Sequence, residues 1–196
     1  MAVRSELEMR PLRADARRNR EAILAVARAA FTEDGPHVPL DEIAKRAGVG
    51  PATLFRHFAG RDELVTAVAV ERFDTEVEPV IAESLVGDDA WDGLVAVVGA
   101  LLRLNTSGPG WRETVAVARE AGLMGASRRD QLYGPLGELL IRAQRAGQVR
   151  SDAAVDDLVP IVHMLRSLAT VEGELPGDAW IRYFSLFLRR DATATP

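Results

Sequence analysis

Three features of the 196-residue sequence predict an all-α protein of about nine helices. Apolar residues recur at three- and four-residue spacing along most of the chain, which is the period of an amphipathic helix. No segment alternates apolar and polar residues as a half-buried strand does, and the sequence contains no internal repeat. Glycine and proline stand where the helical patterns stop. We therefore expect helices joined by short turns.

The first helix is predicted from near Ala14 to the Gly35-Pro36 pair that ends it. Its buried stripe consists of five apolar residues at helical spacing: Ile23, Leu24, Ala27, Ala30 and Phe31. Residues 1 to about 12 have no such period and include Pro11, so we interpret them as an extended or mobile arm. Two roles stay open for three arginines in and beside this arm, solvation or contact with a DNA minor groove: Arg4, Arg10 and Arg13.

Residues 40–58 have the pattern of two short helices joined by a tight turn. In the first helix, Leu40, Ile43, Ala44 and Ala47 share one face, and charged residues take the other. Gly48 follows where a left-handed residue ends a helix, and Pro51 suits the first turn of the next. Leu54 and Phe58 give the second helix an inward face. This is the arrangement of a helix-turn-helix, whose second helix enters the DNA major groove.

These residues resemble the tetracycline-repressor (TetR) family of transcriptional regulators. The resemblance extends upstream through Asn19–Leu24 and Ala30–Phe31, downstream through Phe58–Leu64, and covers about residues 13–70. It implies two domains, an N-terminal arm with a DNA-binding domain (residues 1–62) and a helical ligand-binding and dimerisation domain (residues 63–196). No Gly/Ser/Pro-rich linker separates them, so the boundary is one of topology.

The resemblance also implies which residues contact DNA. The predicted phosphate contacts are Arg20, Lys45, His57 and Arg61. The residues predicted to face base edges are Gly50, Pro51, Ala52, Thr53, Phe55 and Arg56. Charged helix faces are usually just solvated, and a helix-packing role for His57 is the alternative to a phosphate contact.

Two positions depart from the family pattern. Phe55 stands where the family commonly has a tyrosine that donates its hydroxyl to a phosphate. A phenylalanine cannot donate, although its ring can pack against a sugar or a thymine methyl. Pro39 stands where the family often has serine or threonine, which removes a possible helix N-cap. We therefore expect contact at Phe55 without a hydrogen bond.

The charge is unevenly distributed along the chain. The whole sequence carries −5, but residues 1–61 hold eleven basic and eight acidic residues, a net charge of +3. The remaining residues hold 13 basic and 21 acidic residues, a net charge of −8. A basic N-terminal segment followed by an acidic remainder agrees with DNA binding by the N-terminal domain.

The later helices follow from the same apolar spacing. Asp62 and Glu63 open the fourth helix, which should bend or end near Pro79. Gly147 is expected to stop the seventh helix, and Pro160 would be tolerated near the first turn of the eighth. The fifth to ninth helices are predicted around residues 91–102, 111–122, 127–145, 158–169 and 178–188.

An apolar ligand is predicted among the fourth to eighth helices, because this region is rich in Val, Leu, Met and Trp and sparse in polar residues. The candidate wall residues are Trp91, Leu94, Val98, Leu101, Trp111, Val115, Met124, Leu136, Leu140 and Met164. The candidate polar groups are Asn105, Tyr133 and His163. Plain core packing is the alternative for each.

The eighth and ninth helices are predicted to form a homodimer interface as half of a four-helix bundle. Their apolar residues exceed what one small body needs to cover. The interface candidates are Leu158, Ile161, Leu165, Leu168, Trp180, Ile181, Phe184, Phe187 and Leu188.

Other functional classes lack their sequence signals. Cysteine is absent, which excludes disulfides and thiolate chemistry. No apolar run is long enough for a membrane span, and the start lacks a signal peptide's apolar core, so we expect a cytoplasmic protein without membrane contact. The three histidines lack metal-ligand spacing, and no nucleophile elbow, phosphate loop or dinucleotide fingerprint occurs. We therefore predict no enzyme activity, metal or cofactor.

The sequence supports two functional hypotheses. The first is a ligand-responsive transcriptional regulator, a repressor that binds a near-palindromic DNA operator as a homodimer and is released by a small apolar effector. The second is a small-molecule binding protein whose DNA binding is weak and non-specific. A salt titration on random and genomic DNA would separate the two.

Overall fold

The computed structural model describes residues 2–122, 126–171 and 178–189, with side chains for 14–122, 129–167 and 178–189. Over these ranges the chain forms ten α-helices and one isolated antiparallel bridge, between Val149 and Arg189. The all-α prediction is confirmed. The helices are α1 (Ala2–Glu33), α2 (Leu40–Arg46), α3 (Pro51–His57), α4 (Arg61–Glu76), α5 (Glu78–Val86), α6 (Ala90–Thr106), α7 (Trp111–Glu120), α8 (Ala126–Arg145), α9 (Val155–Val171) and α10 (Ala179–Leu188).

The start of α1 differs from the prediction. The helix begins at Ala2 rather than near Ala14, so residues 2–12 are helical and the extended conformation expected for them was wrong. Most of these residues are good helix formers, and α1 includes Pro11 although that residue donates no backbone hydrogen bond. The DNA-contact hypothesis for Arg4, Arg10 and Arg13 concerns side chains outside the described ones.

The predicted fourth helix is two helices, α4 and α5, which meet at Val77. Pro79 lies in the first turn of α5, where its missing N–H would have no helical partner. The break expected near Pro79 is therefore confirmed. Pro160 behaves differently, because α9 begins at Val155 and places it in the second turn rather than the first. Because proline has no N–H, α9 lacks the backbone hydrogen bond that residue 160 would otherwise donate.

The chain forms two compact units. The first contains residues Met1–Glu71 and Ser107–Leu123, which comprise α1 to α3, most of α4, and α7. Its largest buried side chains include Phe31, Ile43, Phe58 and Trp111. These two units are defined by how the chain packs. The boundary predicted at residue 62 separates two functions instead, and it stays a prediction.

The second unit contains residues Arg72–Thr106 and Met124–Pro196. α6 is its central helix and packs against α5, α8 and α9. Arg142 on α8 donates to the carbonyl oxygen of Leu85 at 2.7 Å and thereby caps the end of α5. None of the described helices is both long and apolar enough to span a membrane.

Asp89 connects two parts of the second unit through its carboxylate. One oxygen accepts a hydrogen bond from the Asp92 main-chain N–H at 3.0 Å, in the first turn of α6. Gln148, in the connection between α8 and α9, donates its side-chain amide to both oxygens at 3.1 and 3.0 Å. The Asp92 hydrogen bond favours the ionised form and lowers the pKa of Asp89 below its usual value.

Candidate functional site

The turn between α2 and α3 has the geometry expected of a helix-turn-helix. Gly48 has a φ of +70°, the left-handed conformation predicted for it. Its N–H donates to the carbonyl of Lys45 at 3.2 Å, and the N–H of Val49 donates to the carbonyl of Ala44 at 3.0 Å. These two bonds form a Schellman motif, which ends α2 and turns the chain toward α3.

One face of α3 is buried and the other is open to solvent. Leu54 is buried, and so is Phe58, the residue directly after the end of α3, as their spacing predicted. The open face comprises Gly50, Pro51, Ala52, Phe55 and Arg56, while Thr53 and His57 are half-buried. Phe55 keeps half of its surface in water, at 50% exposure. An exposed aromatic ring beside an arginine is suited to contact with base edges in a major groove.

Two further cations lie exposed near this helix. Lys45 is exposed on α2. Arg20 is exposed on α1, and its guanidinium carbon lies 4.9 Å from the centroid of the Phe58 ring. A cation over an aromatic face is held by the ring quadrupole. Arg20 is thus kept beside the end of α3, although it stands more than 30 residues earlier in the sequence.

The structure gives Arg61 a role that the sequence did not predict. Its Nη1 donates to the carbonyl oxygen of Val38 at 2.7 Å and also to that of Pro36. These bonds tie the connection between α1 and α2 to the start of α4. Every residue has a main-chain carbonyl, so residue type and spacing could not predict these two acceptors. The predicted phosphate contact of Arg61 stays a prediction.

Two roles were predicted for His57, a phosphate contact and packing between helices. The residue is half-buried, and its Nε2 is buried without a hydrogen-bond partner among the described residues. A buried ring nitrogen cannot reach a phosphate oxygen outside the protein. A phosphate contact by His57 would therefore have to use Nδ1.

The predicted ligand-site residues are divided between the two units. Trp111 and Val115 lie on α7 in the first unit, where Trp111 is part of the core. Met124 lies outside the described residues. The other apolar candidates belong to the second unit, and all except the exposed Met164 are buried there: Trp91, Leu94, Val98, Leu101, Leu136 and Leu140. The polar candidates Asn105, Tyr133 and His163 are half-buried in the same unit.

Part of the predicted dimer interface is buried within the protomer. Five of its residues are buried within the protomer and are unavailable to a partner: Leu158, Ile161, Leu165, Phe184 and Leu188. Phe184 stacks on Trp91 of α6 with ring centroids 5.4 Å apart, which shows why this face of α10 is occupied. Trp180 and Ile181 are half-buried, and Leu168 lies outside the described side chains.

A different face of α10 is exposed and apolar. It consists of Tyr183, Leu186 and Phe187, with Leu186 at 74% exposure. The interface prediction included Phe187 but not Tyr183 or Leu186. Their spacing of three and four residues was a readable signal, but the sequence could not show which apolar face of the helix the protomer covers.

Comparisons with known proteins agree with this geometry. Residues 23–68 match the model of the bacterial regulatory proteins of the tetR family. A helix-turn-helix-type transcriptional regulator of Staphylococcus aureus (strain USA300) is 39% identical over 54 residues, which cover 27% of this chain and 29% of that protein. The match thus spans less than a third of that relative's length.

Two solved structures resemble nearly the whole chain. The TetR transcription regulatory protein from Mycobacterium vanbaalenii is 32% identical, with a TM-score of 0.63 over 92% of this chain and 100% of that one. A TetR transcriptional regulator from Streptomyces coelicolor is 25% identical, with a TM-score of 0.64 over 88% and 99% of the two chains. With its helix-turn-helix and helical C-terminal part, this chain belongs to the TetR family of transcriptional regulators.

Proposed function

We propose that the protein is a ligand-responsive repressor, not an enzyme, and that it binds a near-palindromic operator as a homodimer in the cytoplasm. The observation that carries the proposal is the open face of α3, where Phe55 and Arg56 are exposed, with the Arg20 guanidinium held over Phe58 at the end of the same helix. A short helix with an arginine and an apolar group on its free face suits direct readout of base edges.

The residues of this face divide into two classes of contact. Arg56 is positioned to read a guanine, and Phe55 to pack against a thymine methyl. The exposed cations Lys45 and Arg20 are assigned to phosphates, which set register and affinity but carry no sequence information. The helix-turn-helices of two protomers would read two half-sites whose centres lie one helical turn of DNA apart, or a multiple of one turn.

The homodimer is assigned to the exposed face of α10. An apolar cluster of Tyr183, Leu186 and Phe187 in water is unfavourable, and such patches commonly mark interfaces. Packing α9 and α10 of two protomers together would form a four-helix bundle. We therefore assign the interface to the outer face of α10, whereas Phe184 belongs to the core.

The effector is assigned to the interior of the second unit around α6. Leu94 and Val98 of α6 are buried there, and Asn105, farther along the same helix, is half-buried. The amide of Asn105 donates to the Leu101 carbonyl at 2.6 Å, and its oxygen accepts from Arg166 at 3.5 Å. Apolar walls with a few polar groups are typical of small-molecule sites.

Selection of bound fragments from genomic DNA, followed by salt titration, tests the proposal. A regulator should enrich a small set of near-palindromic sequences and bind them about 10³-fold or more above random DNA at physiological salt. The affinity should fall steeply as salt rises. If no sequence is preferred, the alternative of a small-molecule binding protein with weak DNA binding takes its place.

A further inference from the structure

The middle of the chain contributes to the unit that contains the helix-turn-helix. Residues 107–123, which include α7, belong to the first compact unit although α5 and α6 precede them in the sequence. A division of the chain at residue 62 leaves them out. Their contacts with α1, and with the connection that follows it, show what α7 contributes to this unit.

The C-terminal end of α1 is capped from α7. The last carbonyl groups of a helix have no helical donor and need one from elsewhere. The hydroxyl of Thr114 lies 3.1 Å from the Phe31 carbonyl oxygen and 3.0 Å from the Gly110 carbonyl oxygen, so its single proton is shared between these two acceptors. The N–H of Gly110 donates to the Thr32 carbonyl oxygen at 3.1 Å. Thr114 is fully buried, at 0% exposure. Because a buried carbonyl without a donor is costly, these two groups hold the end of α1 in place.

Two glycines let the backbones approach closely enough for this cap. A Cβ at Gly108 would overlap the Thr32 carbonyl oxygen, and a Cβ at Gly110 would overlap the main-chain nitrogen of Gly35. Any other residue at either position would push the two segments apart. The contact between residues 107–114 and the end of α1 is thus one of backbone against backbone.

The connection between α1 and α2 is held by two different helices. His37 Nε2 lies 3.1 Å from the Glu113 carboxylate on α7, and Arg61 at the start of α4 donates to the carbonyl of Val38. The next residues, Pro39 and Leu40, begin α2. The position of the helix-turn-helix therefore depends on both α4 and α7.

We propose that residues 107–114, here called the latch, position the helix-turn-helix for operator binding by holding the end of α1. The chain enters the first unit at Ser107, directly after α6 ends at Thr106. This inference rests on the proposed operator binding.

Substitutions at Thr114 test the latch. Thr114→Val keeps the shape but removes the hydroxyl, and Thr114→Ser restores it. Val97→Ala, in the buried core of the second unit, is the matched control for lost stability. With the operator found by genomic selection, Thr114→Val should weaken operator affinity about tenfold, as expected when a buried hydrogen bond is removed. Random-DNA affinity should be unchanged, and Thr114→Ser and Val97→Ala should resemble wild type.

Hydrogen exchange without DNA gives a second readout. Amides of residues 34–47 should exchange faster in Thr114→Val and not in Val97→Ala. Wild-type operator affinity in Thr114→Val, or an equal loss in Val97→Ala, would overturn the proposal. If the wild-type protein prefers no DNA sequence, the proposed function fails by itself, and unchanged exchange in Thr114→Val then overturns the latch separately.

A second variant covers the case in which Thr114→Val does not fold. Glu113→Gln is exposed and removes the charge that faces His37. It should weaken operator affinity about two- to threefold, because a neutral amide accepts a weaker hydrogen bond than a carboxylate does. Arg112→Gln, also exposed on α7, is its control. Equal operator affinities for these two variants would overturn the proposal.

Discussion

The guanidinium carbon of Arg20 lies 4.9 Å from the centre of the Phe58 ring, which joins α1 to the end of α3 by a cation–π contact. Phe58 is the C-cap residue of α3 and is buried, whereas Arg20 is exposed. The ring therefore holds a positive charge beside the helix that would read DNA, and the charge stays accessible to a phosphate.

Arg20→Gln should weaken binding to operator and random DNA by the same factor, because a phosphate contact does not depend on sequence. The slope of log affinity against log salt should become shallower by about 0.9 for each phosphate that is no longer neutralised, or about 1.8 for a dimer. Fluorescence anisotropy at several salt concentrations measures both. Arg28→Gln, exposed farther along α1, is the control, and an equal effect there would contradict the assignment.

Arg56→Ala should reduce discrimination between bases, at a cost of about 1–3 kcal/mol on the operator and little on random DNA. Lys45→Ala should instead weaken binding to both DNAs alike. The measurement is competition of each variant against a set of single-base operator variants. Loss of affinity for operator and random DNA by the same factor in Arg56→Ala would show that Arg56 contacts phosphate.

Leu186→Glu should dissociate the dimer without unfolding the protomer, because it places a charge in the exposed apolar face of α10. Sedimentation should show a folded monomer at micromolar concentration, with operator binding abolished. Phe184→Ala should behave differently and lower the free energy of unfolding by about 3–5 kcal/mol, because Phe184 is a core residue. A Leu186→Glu protein that remains dimeric would exclude this face as the interface.

Arg61→Met should lower the free energy of unfolding by about 1–3 kcal/mol, because the carbonyls of Pro36 and Val38 lose their donor. Urea unfolding monitored by circular dichroism measures the loss. Arg46→Met removes an exposed guanidinium that ion-pairs with Glu42 of its own helix, and it should cost about 0.5 kcal/mol or less. Equal costs for the two variants would argue that Arg61 serves DNA binding alone.

Asp89→Asn should remove part of the acid sensitivity of folding. The pKa of Asp89 is lowered in the folded state, mainly by the Asp92 N–H, so its contribution to stability is full above the unfolded pKa of about 3.9. That contribution is lost as the pH falls through the lower, folded pKa. Urea unfolding from pH 3 to 7 should show the wild-type advantage shrinking with acidification. A constant difference across this range would contradict the role of Asp89.

The helix-turn-helix could be predicted from the sequence because its signals are local. Gly48 ends a helix through its own backbone conformation, and Pro51 begins one by lacking an N–H. Leu54 and Phe58 are four residues apart, so they share one face of α3 whatever surrounds them. Residue type and spacing within one or two turns decide all of these features.

Only the tertiary structure decided which face of a helix is buried and which distant atoms form hydrogen bonds. Phe184 and Leu186 both lie on an apolar helix, and only packing against Trp91 shows that the first is core and the second is surface. Arg61 and Thr114 bond to main-chain carbonyls 23 and 83 residues away. Every residue carries such a carbonyl, so the sequence contains no mark of the partner, and only the folded chain brings the two atoms together.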